Sequence, residues 1–190
     1  MGKVIAGATM SLDGFMADPS GDISWLYTDL EALRKTEMLQ ESIRTTGAVV
    51  MGRNAYKMGD PDSFLDNYEY QVPIFVLTHN IPDRLPEQGG NLTFTFVTTG
   101  IESAIRQAKE AAGEKNVTVI GGASTFRQCL AAGLVDELQI GITPVLIGDG
   151  MLLFEQLGIE PVEMEITRVL ESPGRVDITF RINRSRCSHV

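Results

Sequence analysis

The stretch that most constrains this chain is Val117-Thr-Val-Ile-Gly-Gly-Ala-Ser-Thr-Phe126. An apolar β-type run halts at two glycines and gives way at once to helical periodicity through Phe126 and Leu130. A strand that turns straight into a helix leaves the first helical N–H groups unpaired above the strand's carboxyl end. Together with the positive end of the helix dipole those groups favour an anion, and glycines without a Cβ let a pyrophosphate approach the main chain. The pattern falls short of a full G-x-G-x-x-G fingerprint. Taken alone, it is equally compatible with a tight turn that simply needs two glycines.

The rest of the chain repeats this grammar. Residues 4–10 read as a first strand, stopping at Ser11-Leu12-Asp13-Gly14, and a long loop follows to about Thr28 with Asp18-Pro-Ser-Gly-Asp22 in its middle. Loops of that length in a small domain more often serve function than mere connection. Asp29 to Thr46 reads as one helix, with Leu26, Leu30, Leu33 and Ile43 at helical spacing and Gly47 as its C-cap. Further strands are expected at 48–51, 73–77, 92–97, 117–120 and 136–143, with a helix over 102–112 closed by Gly113. Short apolar strands alternating with helices predict an α/β fold with three layers, αβα, around a mostly parallel sheet covered on both faces. The end breaks the rhythm. Val162, Met164 and Ile166 alternate with polar residues, Glu171-Ser-Pro-Gly174 reads as a turn, and Val176, Ile178, Phe180 and Ile182 alternate again. This predicts an antiparallel hairpin at one sheet edge. The whole reads as one domain over residues 1–184 with a polar tail at 185–190.

Composition removes several classes of function. With 16 Lys and Arg against 25 Asp and Glu, the net charge of −9 argues against a nucleic-acid surface. Any phosphate site must therefore be built locally, against the long-range field. Cys129 and Cys187 have no metal-ligand spacing, so no metal is expected. No run approaches the ~18 to 20 apolar residues of a membrane span. The first apolar run already ends at Thr9 and reads as a strand, so a cytoplasmic protein is expected.

In an open α/β sheet the ligand lies outside the carboxyl ends of the strands. The first strand with its loop, Gly52-Arg53, Thr78-His79 and Gly121-Gly122 all end there, a convergence that fits a nucleotide lying across the edge. Met51-Gly-Arg-Asn-Ala-Tyr56, Phe75-Val-Leu-Thr-His79 and Val119-Ile-Gly-Gly-Ala-Ser-Thr-Phe126, after the loop Ser11-Leu-Asp-Gly-Phe-Met-Ala-Asp18, resemble the dihydrofolate reductase superfamily. Thr143-Pro-Val-Leu-Ile-Gly-Asp-Gly150 with Leu153-Phe154 is more similar to the reductase domain of bacterial riboflavin biosynthesis and its stand-alone relatives.

That resemblance implies a dihydrofolate-reductase-like fold and NADPH as cofactor. Gly52, Arg53 and Asn54 would lie by the adenosine-side phosphates, with Arg53 a candidate for the 2′-phosphate. A surface salt bridge is the other reading of Arg53. Leu77, Thr78 and His79 would touch the adenosine end. Gly121, Gly122, Ala123, Ser124 and Thr125 would cradle the pyrophosphate, and Thr9, Met16 and Ala17 would line the nicotinamide. Ser124 stands where dihydrofolate reductases often carry a basic residue. The substrate would be a small heterocycle, pterin-like or an aminopyrimidine. Trp25 and Asp29 resemble the Trp and carboxylate that grip a pterin, one residue closer together, which makes them the candidate catalytic pair. Asp29 equally fits the cap of the helix that it heads. Asp13 is the second candidate acid, and it equally reads as a turn residue bonded to its own backbone in Asp-Gly. True dihydrofolate reduction and nucleotide binding without turnover are the alternatives. The hairpin edge and the apolar strand 138–145 point to a homodimer.

Overall fold

The computed structural model describes residues 2–59, 63–172 and 174–183. β-branched apolar runs form the strands β1 (Val4–Ser11), β3 (Thr46–Gly52), β4 (Ile74–Leu77), β5 (Phe94–Val97), β6 (Asn116–Ile120) and β7 (Glu137–Thr143). The short β2 (Phe15–Ala17) pairs with β8 (Met151–Leu152) apart from the main sheet, and β9 (Met164–Ser172) and β10 (Arg175–Ile182) form the terminal hairpin. Helices α1 (Leu30–Arg34), α2 (Glu37–Thr45), α3 (Arg53–Met58), α4 (Phe64–Asn67), α5 (Ile101–Ala112) and α6 (Ala123–Ala131) connect them. The sheet order is β5-β4-β3-β6-β1-β7-β10-β9. Its first six strands run parallel, and the hairpin adds two antiparallel strands. This is the three-layer architecture and the hairpin expected from the sequence.

Strands buried on both faces need a core on each side. Helices α5 and α6 cover one face through Ile101, Ala104, Ile105, Phe126 and Cys129, all buried against Val4, Ala6, Val50 and Val119. On the other face Leu39 and Ile43 of α2, Tyr56 of α3 and Phe64 of α4 pack on Val49, Met51, Ile74 and Val76. Each fully buried side chain of this kind contributes roughly 1.5–3 kcal/mol. A polar string locks α2 to the sheet: the Thr46 hydroxyl lies 2.6 Å from Thr118 Oγ1 and from the Ser42 carbonyl, and Ser42 Oγ lies 2.9 Å from the Tyr70 hydroxyl.

Three expectations change. The single helix over 29–46 is two helices, because the Thr36 hydroxyl accepts from the Leu39 N–H and donates to the Leu33 carbonyl, starting α2 afresh. Gly47 is no C-cap; α2 passes directly into β3 and Gly47 is that strand's second residue. A Cβ there would sit 2.8 Å from the Ala112 carbonyl oxygen and 2.7 Å from Lys115 Cβ, so the glycine answers a close approach, not a turn. Strand β7, which overlaps the apolar 138–145 segment, lies inside the sheet between β1 and β10 with Leu138 and Ile140 buried, so it offers no free edge; β9 is the outer strand. The long loop also carries β2 and a 3-10 turn, Ser24–Leu26, anchored by the buried Leu26. The tail at 185–190 lies outside the described residues. No helix among the described residues is long and apolar enough to cross a membrane.

Because Gly47 faces the Ala112 backbone and the Lys115 Cβ, which does not move with the rotamer, Gly47→Ala cannot be relieved by a rotamer change. It should cost about 1–3 kcal/mol and lower the urea midpoint at unchanged m-value. An unchanged midpoint would refute the close approach.

Candidate functional site

The parallel strands β1, β3, β4 and β6 end at one edge. Register aligns Met51 and Gly7 with Ile120, the last residue of β6, and Gly52 with Leu77, the last of β4. The two glycine turns therefore meet. A Cβ on Gly52 would lie 2.4 Å from Thr125 Oγ1, one on Gly121 would lie 2.9 Å from Ala55 Cβ, and one on Gly122 would lie 3.8 Å from Gly52 Cα. Gly121 and Gly122 hold φ of 67° and 78°, a backbone region that strains other residues. Both helices that leave these turns start without a side-chain cap: α3 at Gly52 and α6 at Gly122. Their leading N–H groups are left for a ligand or solvent, side by side at the positive ends of two dipoles.

The residues expected around this groove fall as follows. Arg53, Asn54 and His79 are exposed, and Leu77 is half-buried. Thr78 is buried, with its hydroxyl donating to the Asn80 carbonyl at 2.8 Å. Ala123 and Thr125 are buried, whereas Ser124 is exposed with its hydroxyl accepting from Gln128 Nε2 at 3.0 Å. Thr9 is buried on β1, which runs past the end of β6 beside the Gly121 turn. Met16 and Ala17 lie on β2, Met16 packed on the core and Ala17 buried.

Asp13 holds the loop around β2 in place. Its carboxylate accepts from the Ser11 hydroxyl and from the N–H groups of Ile147 and Gly148, the last at 2.8 Å. The Ser11 hydroxyl first, then the two distant amides, hold its pKa below the ordinary value against partial desolvation. The local turn expected at Asp13-Gly14 is present, closed by the Gly14 N–H on the Ser11 carbonyl, and the carboxylate adds to it a long-range clamp. Asp18, similarly, is held below its ordinary pKa by the Ser20 hydroxyl and the Asp22 amide.

The carboxylate of Asp29 accepts from the Ala32 N–H at 2.8 Å and is exposed at the start of α1. Its hydrogen bond serves the capping role weighed in the sequence. Trp25 lies on the 3-10 turn, more than half exposed. Trp25 and Asp29 are both on the solvent side of this segment. Sequence reasoning missed Arg175 and Asp177, which the structure brings to Thr9: Arg175 Nη1 donates to Thr9 Oγ1 at 3.2 Å and the guanidinium pairs with Asp177. Alternation along β10 put both on one face in the sequence. That this face is buried beside the end of β1 depends on strand order.

Residues 2–177 match the family model described as the RibD C-terminal domain. YwjB of Bacillus subtilis (strain 168), whose activity is uncharacterized, is 25% identical over 155 residues, covering 82% of this chain and 84% of that protein. A crystal structure from Shewanella sp. PV-4, assigned to riboflavin biosynthesis, superposes with a TM-score of 0.77 at 23% identity, covering 96% of this chain and 99% of that one. Dihydrofolate reductase from Enterococcus faecalis, complexed with NADP(H) and RAB-propyl, superposes with a TM-score of 0.61 at 17% identity, covering 95% of this chain and 96% of that one. These likenesses are of fold.

A carboxylate with a depressed folded pKa stabilises above its unfolded pKa and loses that contribution as pH falls through the folded value. The Gly148 amide proton resonance should accordingly titrate with a midpoint below that of a free aspartate, and Asp13→Asn should abolish that titration. A midpoint at or above the free aspartate value would rule out the clamp.

Proposed function

The chain belongs to the RibD C-terminal domain family, and on that footing we propose that it is an NADPH-dependent reductase of a pterin-like or aminopyrimidine heterocycle, similar to the 5-amino-6-(5-phosphoribosylamino)uracil reductase of riboflavin biosynthesis. The observation that carries this reading is the contact between the Gly52 and Gly121-Gly122 turns, where two uncapped helix N-termini open at the same sheet edge. That cradle fits a pyrophosphate: its glycines keep side chains out, and free N–H groups compensate two negative charges in a chain whose net charge would repel them.

NADPH, when bound, supplies the hydride for reduction of a C=N bond. In this reading Gly121, Gly122, Ala123, Ser124 and Thr125 hold its pyrophosphate through main-chain N–H groups. The exposed Arg53, two residues from Met51 at the end of β3, is free to swing onto the 2′-phosphate, and His79 and Thr78 flank the adenosine. Thr9, Met16 and Ala17 border the nicotinamide, and the Asp13 clamp fixes the loop that bears the last two. Because Asp29 caps its own helix in the open, the reading of true dihydrofolate reduction, which needs that carboxylate in the pocket, is the weaker alternative.

The same proposal takes the protein to be a cytoplasmic homodimer. Met164, Ile166 and Val169 on the outer strand β9 are exposed, and a second copy would cover them.

NADPH at millimolar concentration should raise the melting temperature and alter Trp25 fluorescence. Arg53→Ala should weaken NADPH about tenfold to a hundredfold while leaving NADH within about threefold, as expected for loss of one charge-assisted contact. The reductase reading fails if neither nucleotide shifts the melting temperature. Sedimentation should give the mass of a dimer at micromolar concentration, and Ile166→Glu should return a monomer; a monomeric wild type refutes the assembly.

A further inference from the structure

Three neighbouring strands build one lateral row across the sheet. Thr9 of β1 is in register with Gly141 of β7, and Gly141 with Asp177 of β10. Gly141 has no side chain, and the guanidinium of Arg175 fills the space: a Cβ at this position would lie 1.6 Å from Arg175 Nη2 and 2.3 Å from Cζ. From there Nη1 donates to Thr9 Oγ1, while Nε, at 2.9 Å, and Nη2 both donate to Oδ1 of Asp177. The side chain of Arg175 is 11% exposed and that of Asp177 3%.

An arginine and a carboxylate usually meet as a fork, one N–H to each oxygen. Here both donors go to Oδ1, and the buried Oδ2 has no hydrogen-bond partner among the described residues. A charged oxygen kept dry and unpaired is costly and uncommon, and it marks a place where a donor belongs. Of the five guanidinium N–H groups, three bonds are accounted for, so donor capacity remains on Arg175.

We propose that Asp177 and Arg175 are the recognition clamp for the lactam edge of the heterocyclic substrate. The ring N–H donates to Asp177 Oδ2 and the adjacent ring C=O accepts from Arg175. This rests on the reductase reading, because Thr9 ties the clamp to the stretch of β1 that passes the Gly121 turn. The charge balance selects the ligand. A lone carboxylate favours a cationic amidine, which offers two N–H donors. Arg175 cancels the charge and replaces one acceptor by a donor, so a neutral uracil or pyrimidinone edge is matched and a protonated diaminopyrimidine is opposed. Gly141 is part of the device, since any side chain there displaces the guanidinium.

The 3-10 turn bearing Trp25 packs against β1, and Trp25 is the chain's single tryptophan, so its fluorescence reports on this strand. The full chain, with and without saturating NADPH, is titrated with 5,6-diaminouracil and with 2,4-diaminopyrimidine, followed by calorimetry and Trp25 emission. The wild type should bind the uracil more tightly. Asp177→Asn, which puts an NH₂ against the ring N–H, should weaken the uracil about tenfold or more. Arg175→Met should reverse the preference towards the diaminopyrimidine. Thr9→Val, which leaves the ion pair intact, guards against misfolding of the other two and should weaken the uracil by a smaller factor. Variants that fold and keep the wild-type ratio of the two affinities, or a wild type that binds neither compound, would show an internal salt bridge only and overturn the clamp. An absent NADPH response with the ratio still sensitive to Asp177 and Arg175 would instead overturn the reductase reading and leave the clamp standing.

Discussion

The close approach of two backbone turns at one end of a parallel sheet governs this structure. Gly52 lies against Thr125, and Gly121 against Ala55, more closely than a Cβ would allow, and this packing brings the starts of α3 and α6 together. Parallel register makes the contact unavoidable: once Met51 and Gly7 both align with Ile120, the residues that follow must share the space above the strand ends. Hydrophobic burial on both faces holds that register, since a slip by one residue would exchange the faces of Val49 and Val50, which belong to opposite cores.

Around this edge the polar residues divide into those that hold the scaffold and those that stay available. Asp13 uses its carboxylate to bring the Ile147-Gly148 turn onto the loop after β1, and Arg168 of β9 pairs with Glu37 and Glu41 of α2 to tie the outer hairpin to the helical layer. Asp29 is used up as a helix cap. The uncapped N-termini of α3 and α6 and the lone oxygen of Asp177 are different, because each is a hydrogen-bonding group whose partner the described chain does not supply. One set is electropositive and dipolar, suited to phosphates; the other pairs an acceptor with a donor, suited to a heterocycle's edge. Their placement at the two flanks of β1 gives that strand its importance.

Legibility from the sequence followed the range of the interactions. Strand and helix identities, the glycine-terminated turns and the terminal hairpin depend on local periodicity, and they were readable along the chain. Helix boundaries were less so: the Thr36 cap splits what looks like one amphipathic run, and Gly47 has the appearance of a C-cap although its neighbours across the fold, Ala112 and Lys115, are what demand a glycine. That the turns at Gly52 and Gly121-Gly122 lie together could be anticipated because strands of one direction end at one edge. The Asp13 clamp could not, because its partners lie 134 and 135 residues away in sequence.

What the sequence determined by itself is the alternation of apolar runs and glycine turns, and hence an α/β sheet whose parallel strands end at glycine turns along one edge: these follow from side-chain period and from the missing Cβ, properties each residue carries with it. Only the tertiary structure decided which polar residues meet. Thr9, Gly141, Arg175 and Asp177 come from three strands whose order is set by how the whole chain buries its two faces, and the guanidinium lies between a threonine and a carboxylate solely because the strand between them offers a glycine. No local pattern encodes that coincidence, since it exists only once the sheet has closed.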